Sequence, residues 1–331
     1  MKITRRFVLG AGGVGLAAAA LPILAGCDHR ASPKSSGGRP LRLQSSWVND
    51  AEFIGYFVAM ANGYYKEAGL DFDYASGSPD IVAGEKLASK QCDVALTNID
   101  GTVSAILTQR APFKIIGTQY QKSPLGIVSL EESGIREPKD LINRKLAVPD
   151  ANLPTIKAFL RMNNVDPRQV RLMPYQYDPA ILVQGQVDAT VDFVTNVPYA
   201  IRLQNKKPKS FLLADFGFKQ FMDTVVVRQE TLAKKSDELI AFLRASRQGW
   251  EENFKNVNLY PDKLAKMMTE VTGRTIDNEK YFNLEQKPLM ESPSGIFSMT
   301  EAGIEENIAS LRAVGLRATR DMFVTDLLAK V

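Results

Sequence analysis

Apolar residues recur with helical spacing in the segment that begins at residue 53. They stand three or four positions apart, on one face of a helix, at Phe53, Tyr56, Phe57, Met60, Ala61 and Tyr64. The Asn62-Gly63 pair predicts a break in this helix, and Gly69 predicts a left-handed stop after it. We therefore predict an amphipathic helix that is interrupted near residue 62.

Short apolar runs bounded by turn residues predict β-strands along the rest of the chain. They are LRLQSSW from Leu41, LDFDY from Leu70, CDVALT from Cys92, FKIIGTQ from Phe113, GIVSL from Gly126, KLAVPD from Lys145, VRLMPY from Val170, DATVDF from Asp188 and DTVVVR from Asp223. Long helices are predicted from about Ser236 to Phe254 and from Glu301 to Val314. Alternating strands and helices indicate an α/β fold.

Two halves of the chain carry similar strings. LASKQCDVALT from Leu87 resembles LVQGQVDATVD from Leu182, and PLRLQSSW from Pro40 has a counterpart in KLAVPDAN from Lys145. A chance match of short strings is the alternative. If the match is real, each half forms an α/β lobe, and a cleft lies between the two lobes.

Polar and aromatic residues follow the predicted strands at their carboxyl ends, where open α/β sheets bind ligands. The candidate ligand-binding residues are Trp47, Glu52, Thr97, Asn98, Asp100, Gln119, Ser123, Asp150, Asn152, Asp192 and Asn196. The set contains an indole, amides and carboxylates but no cation. Such groups can stack on a flat ring and hydrogen-bond its edge.

Several candidates have a purely structural alternative. Glu52 stands three residues after Asn49 and could only complete a capping box. Either Asp150 or Asn152 could cap the helix expected near residue 154, and Asp192 could be a solvated loop acid. Trp47 could belong to a core, but its polar neighbours favour a cleft.

The first 26 residues have the pattern of an export signal. Three basic residues precede an apolar run that ends in small residues, and TRRFVL resembles the twin-arginine pattern. LAGC resembles a lipobox, which implies lipid attachment at Cys27 and anchoring to the membrane. A transmembrane helix is the alternative, weakened by the glycines and proline in the run. Residues 27–40 are expected to form a flexible linker.

Charge and rare residues exclude several function classes. Three of the 41 basic residues lie in the leader, which has no acid, so the remainder nearly balances the 37 acidic residues and predicts no nucleic-acid binding. His29, the only histidine, lies in the linker, which excludes a Ser-His-Asp site and a histidine zinc site. With Cys27 lipidated, we expect no internal disulfide in the mature chain. We expect no metal and no cofactor.

The stretch WVNDAEFIGYFVAMANGYYKEAGLDFDY resembles the opening of solute-binding proteins of ABC importers. It is similar to the branch related to thiamine-pyrimidine synthases and to importers of pyrimidine precursors, riboflavin and sulfonates. SPLGIVSLEESGIREPKDLINRKLAV resembles that branch's crossover between lobes, and QGQVDATVDF resembles a strand of its second lobe. The resemblance extends from Leu41 to about Glu230.

The resemblance implies a periplasmic-binding-protein fold of type II, with two α/β lobes joined by two hinge crossovers. Residues 41–126 and 215–331 would form the first lobe, and residues 127–214 the second. The implied function is capture of a small planar heterocycle, such as a thiamine pyrimidine precursor, by a monomeric lipoprotein on the periplasmic side. An ABC permease and its ATPase are the implied partners.

Two other functions stay open at this point. Thiamine-pyrimidine synthases of the same family carry a cysteine cluster, a lysine and a histidine, whereas Thr97–Gly101 contains neither lysine nor histidine and the region around Asp223 contains no cysteine. A receptor is therefore favoured over an enzyme, and binders of riboflavin or alkanesulfonates share the scaffold. A ligand sensor that does not take part in transport is the third reading.

Overall fold

The structure is a computed structural model that describes residues 40–331. The predicted leader at residues 1–26, the lipid site at Cys27 and the linker up to residue 39 lie outside the described residues. Within residues 40–331, none of the helices combines the length and the apolar character that crossing a membrane requires.

Ten β-strands occur among the described residues. They are β1 (Leu41–Gln44), β2 (Phe72–Ala75), β3 (Val94–Thr97), β4 (Phe113–Tyr120), β5 (Leu125–Leu130), β6 (Lys145–Val148), β7 (Arg171–Pro174), β8 (Ala189–Phe193), β9 (Pro208–Leu212) and β10 (Met222–Arg228). Nine of them match the predicted runs, although β1 ends before Trp47. β9 was missed because PKSFL follows a polar, lysine-rich stretch.

Thirteen α-helices occur between residues 40 and 331. They are α1 (Ile54–Ala61), α2 (Tyr64–Glu67), α3 (Ala83–Ala88), α4 (Ile99–Gln109), α5 (Leu153–Met162), α6 (Ala180–Val183), α7 (Val197–Leu203), α8 (Gln229–Lys234), α9 (Ser236–Lys255), α10 (Leu259–Lys263), α11 (Ala265–Thr272), α12 (Ile276–Met290) and α13 (Glu301–Ala313). The break between α1 and α2 falls at Gly63, whose φ is +77°, and Gly69 is also left-handed. Both predictions are confirmed.

The strands form two sheets with the same arrangement. The first has the order β2-β1-β3-β10-β4 and the second the order β7-β6-β8-β5-β9. In each sheet four strands run in the same direction, and one antiparallel strand, β10 or β5, is inserted before the edge strand. The chain passes between the sheets after β4 and again before β10. The predicted two-lobed periplasmic-binding-protein fold, with two crossovers, is confirmed.

The similar strings of the two halves occupy matching places. Asp93, before β3, accepts a hydrogen bond from the backbone N–H of Arg42 at 3.2 Å, and Asp188, before β8, accepts one from Lys145 at 2.8 Å. Each aspartate in turn donates its own N–H to the same residue's carbonyl at 2.9 Å. The similar strings of the two halves therefore correspond to the same pair of hydrogen bonds between an aspartate and the neighbouring strand. We keep residues 41–126 with 215–331, and residues 127–214, as the proposed extents of the two lobes.

Helices α1 and α9 pack closely on the first sheet. Trp250, fully buried, lies edge-on to Tyr56 with ring centroids 6.2 Å apart. A Cβ at Gly55 would overlap the indole of Trp250, and a Cβ at Gly249 would overlap the Gly55 carbonyl. Only glycine fits at these two positions because the helix backbones approach each other so closely. This core fixes the start of α1, which is separated from the loop that carries Trp47 by one short turn at Ala51–Phe53.

Candidate functional site

Trp47 lies in the loop between β1 and a 3-10 turn at Ala51–Phe53. Its backbone carbonyl accepts hydrogen bonds from the Ser45 hydroxyl and from the Gly77 N–H, both at 2.9 Å. A Cβ at position 77 would lie 2.6 Å from the backbone nitrogen of Trp47, so only glycine allows the two backbone segments to approach this closely. The indole is half-buried, and its centroid lies 6.3 Å from the ring of Tyr177 at an interplanar angle of 56°.

Tyr177 approaches Trp47 from the second sheet. It follows β7, is 55% exposed, and has a left-handed φ of +59° that is unusual for an aromatic residue. Because Trp47 follows the first strand of the first sheet, the two rings join the two lobes across the cleft. Sequence reasoning missed Tyr177, although the predicted strand VRLMPY ends just before it.

Asp192 stands behind this aromatic pair. It is buried in β8 and accepts a hydrogen bond from the Tyr175 hydroxyl at 2.9 Å. The Tyr175 and Tyr177 rings are 5.8 Å apart, so the contacts run without a gap from Trp47 to Asp192. Burial raises the pKa of Asp192 to about 7, which makes it a carboxyl that can either donate or accept a proton near neutrality. The solvated-loop alternative for Asp192 is wrong.

Polar and aromatic contacts also link α7 of the second lobe to α12. Asn196 accepts a hydrogen bond from the Asn278 side chain at 2.8 Å. The rings of Tyr199 and Tyr281 are 5.3 Å apart, and the Arg202 guanidinium lies 5.1 Å from the Tyr281 ring. The second lobe therefore contacts the first both at Trp47 and at α12 in this conformation, and α5 also contacts α13.

Glu52 and Gln119 lie inside the first lobe. Glu52 is buried, and the Gln119 amide donates to the Glu52 backbone carbonyl at 2.7 Å and to Asp223 at 3.2 Å. The alternative of a capping box between Asn49 and Glu52 is wrong, because the residue that caps this turn is Asp50. Its side chain accepts a hydrogen bond from the Glu52 N–H at 2.9 Å. Burial, followed by the nearby Asp223 charge, raises the pKa of Glu52 well above its usual value.

Further carboxyls extend this buried cluster to α12. Arg274 donates to Asp50 at 2.9 Å and lies 3.6 Å from Glu279, which accepts from the Ala51 N–H at 2.8 Å. Burial raises the pKa of Glu279 to about 7 and also raises that of Asp50. Among the described residues no group of histidine, cysteine and acidic side chains has the arrangement of a metal site.

The other predicted residues are placed as follows. Thr97 is buried against Thr102 and Thr224, and Ser123 is buried in the first crossover. Asn98 and Asp150 are exposed, whereas Asp100 and Asn152 are half-buried at the starts of α4 and α5. The Asn152 side chain makes no capping hydrogen bond, so the capping alternative is wrong for it. Surface depressions of about 540 Å³ near Arg228 and near Arg161 include none of the predicted residues.

Comparison with known proteins gives a family and a scaffold. A family model described as "NMT1/THI5 like" matches residues 50–257, well over half of the chain. The formylaminopyrimidine-binding protein of Halalkalibacterium halodurans is 25% identical over 301 residues, covering 88% of this chain and 90% of that protein. The riboflavin-binding protein RibY of Chloroflexus aurantiacus is 22% identical over 219 residues, covering 65% and 62% respectively.

Solved structures agree on the fold. The periplasmic aliphatic sulphonate binding protein SsuA of Escherichia coli superposes with a TM-score of 0.63 at 14% identity, covering 82% of this chain and 90% of that chain. The desulfurization enzyme DSZB superposes with a TM-score of 0.57 at 12% identity, covering 87% and 97%. The same scaffold therefore supports both binding and catalysis, and the fold alone does not choose between them.

Proposed function

Because the chain belongs to the NMT1/THI5-like family, we propose that it is the solute-binding component of an ABC importer. It captures a small planar nitrogen heterocycle, such as a pyrimidine precursor of thiamine. The names of its relatives from Halalkalibacterium and Chloroflexus support a heterocyclic ligand, and the two-lobed fold suits capture by closure.

The observation that carries this proposal is the aromatic pair across the cleft. Trp47 and Tyr177 come from different lobes, and their centroids are 6.3 Å apart. A ligand stabilises the closed state only if it contacts both lobes. The two rings would have to separate and turn toward parallel to admit a flat ring between them. The ligand would then gain contact area from each, and its binding would hold the two lobes together.

The Asp192 carboxyl supplies the matching edge chemistry. A neutral carboxylic acid donates one hydrogen bond through its O–H and accepts another through its C=O. An aminopyrimidine offers a ring nitrogen as acceptor and an adjacent amino group as donor, so the two groups are complementary. With a pKa raised to about 7 by burial, Asp192 can adopt this protonated form at mildly acidic pH.

Anionic ligands fit this cleft less well. The predicted site residues include no Lys or Arg, and Arg274 is engaged by Asp50 and Glu279. A sulfonate would meet buried carboxyls instead of the charged or N–H donors that anions require. A riboflavin ligand would satisfy the aromatic pair equally well, so we retain it as the alternative heterocycle.

The absence of catalysis is part of the proposal. The cysteines of the chain are Cys27 and Cys92, and Cys92 is buried in the first lobe, so the cysteine cluster of thiamine-pyrimidine synthases is missing. The similarity to DSZB keeps an enzymatic role as the competing function. Formation of a pyrimidine product by the purified protein, with pyridoxal phosphate bound to a lysine, would support that role.

The predicted location and partners belong to the same proposal. The leader and Cys27 would place the protein, as a monomeric lipoprotein, at the periplasmic face of the inner membrane. The closed form would deliver its ligand to an ABC permease and its ATPase. Metabolic labelling with a palmitate analogue, compared between the wild type and Cys27→Ser, tests the anchor.

Titration calorimetry tests the proposed ligand class. The protein is titrated with formylaminopyrimidine, with an aminopyrimidine lacking the formyl group, with riboflavin and with an alkanesulfonate. We expect saturable binding of a heterocycle and a weaker or undetectable signal for the sulfonate. Preference for the sulfonate over every heterocycle would refute the proposed chemistry.

A further inference from the structure

Asp223 is a buried acid that the sequence did not assign to the site. Its side chain is fully inaccessible to solvent, and its φ of +48° places it in the left-handed region. Non-glycine residues adopt this backbone conformation rarely, and they keep it where surrounding contacts hold it. Asp223 is the second residue of β10, so the unusual conformation lies where that strand begins.

The contacts of Asp223 are with the loop that carries Trp47. One carboxyl oxygen accepts from the Ser46 hydroxyl at 2.7 Å, and the other accepts from the Gln119 amide at 3.2 Å. The same Gln119 amide donates to the Glu52 carbonyl at 2.7 Å, on the far side of that loop. The loop is therefore held on both sides of Trp47 by one carboxylate and one amide.

These two anchoring residues stand on the two strands that border the crossovers. Gln119 is near the end of β4, where the chain leaves the first sheet, and Asp223 is at the start of β10, where it returns. The crossover segments are bonded to each other, because the Ser123 N–H donates to the Gln220 carbonyl at 3.0 Å. Rotation of the lobes must bend the backbone close to both anchors.

We propose that Asp223 is a positioning residue that couples the two crossover strands to the Trp47 loop, so that the orientation of the indole follows the hinge. This inference rests on the proposed function for its consequence in binding. Asp223 itself acts through Ser46 and is not assigned a contact with the ligand.

The test uses Trp47 as a spectroscopic reporter in the full chain. The chain has two tryptophans, and Trp250 is fully buried, so Trp250→Phe leaves Trp47 as the single indole. In this background we compare Asp223→Ala, Ser46→Ala and the conservative Ser46→Thr. Ser46→Ala removes the same contact from the loop side, which keeps the test valid if Asp223→Ala does not fold.

Thr118→Val is the matched control. Thr118 is fully buried beside Gln119, and its hydroxyl donates to the carbonyls of Tyr120 at 2.9 Å and Met222 at 3.0 Å. The substitution therefore removes one buried hydrogen bond within β4 and one from β4 to β10, without touching the Trp47 loop. Its effect on melting temperature measures the purely structural cost of disturbing this region.

In the ligand-free protein, Asp223→Ala and Ser46→Ala should shift the Trp47 emission and increase its quenching by acrylamide, whereas Thr118→Val should do neither. With formylaminopyrimidine as the probe, both variants should raise Kd by about tenfold, and Ser46→Thr should restore it. Unchanged emission and unchanged Kd in both variants, with only a lower melting temperature, would overturn the positioning role. A parent protein that binds no heterocycle counts against the proposed function, while the ligand-free emission still decides this inference.

Discussion

Replacing Asp192 by asparagine should make the stability of the protein less dependent on pH. Asp192 is buried, and its folded-state pKa is about 7, against an ordinary value of 3.8. Between these values the folded state binds a proton that the unfolded state has lost. The stabilisation is therefore complete below about pH 4 and is lost as the pH rises through about 7. Asparagine keeps an oxygen for the Tyr175 hydroxyl but cannot ionise.

The size of the effect follows from the shift in pKa. One pKa unit corresponds to about 1.4 kcal/mol, so a shift of about three units amounts to about 4 kcal/mol over the whole range. Between about pH 5 and about pH 8 the linkage relation gives about 2.5 kcal/mol of this. Other buried acids such as Glu279 contribute to the pH dependence of both proteins, so the difference between the two proteins isolates Asp192.

Urea unfolding at several pH values measures this difference. The unfolding free energy of the wild type should fall by about 2.5 kcal/mol more than that of Asp192→Asn between about pH 5 and about pH 8. Asp80→Asn, at an exposed carboxyl, is the matched control and should follow the wild type. Parallel curves for the wild type and Asp192→Asn would refute the assignment of a buried, proton-binding carboxyl at the cleft.

Three further predictions test the cleft and the core. Trp47→Ala should raise the Kd for the heterocycle at least about tenfold in calorimetry, because one ring of the aromatic pair is lost. An unchanged Kd would show that the indole does not contact the ligand. Asn278→Ala should weaken binding about fivefold, because it removes a cross-lobe hydrogen bond worth about 1 kcal/mol. X-ray scattering should also show a more open ligand-free form of this variant. Lys280→Ala, on the same helix, is the control, and identical scattering from the two variants would contradict the prediction. Gly55→Ala should cost about 2–3 kcal/mol in urea unfolding because its methyl group overlaps the Trp250 indole, and wild-type stability would show that the α1–α9 contact can relax.

The fold was predictable because its signals are local. The aspartates at positions 93 and 188 recur at the same point of the two halves, and the structure shows both bonding the backbone of their neighbouring strand. Periodicity and glycine placement predicted the α1 break at residue 63. The edge strand β9 was not predicted, because it contains Pro208 and Lys209. Edge strands tolerate such residues, whereas central strands avoid them.

The candidate site was predictable only in part, because much of it is assembled from distant segments. Trp47 and Asp192 follow or end predicted strands, and the structure connects them through two tyrosines. Asn278 and Glu279 reach the region from α12, more than 80 residues from their partners, and no local pattern indicates such contacts. Glu52 was selected for its position after a strand, whereas tertiary packing turns its side chain into the first lobe.

A crystal structure of the protein with formylaminopyrimidine bound would show whether the aromatic pair holds the ligand. We expect the pyrimidine ring to lie between the indole of Trp47 and the ring of Tyr177, with its amino edge hydrogen-bonded to a carboxyl of the cleft. A ligand bound elsewhere, with Trp47 and Tyr177 still in contact with each other, would contradict this expectation.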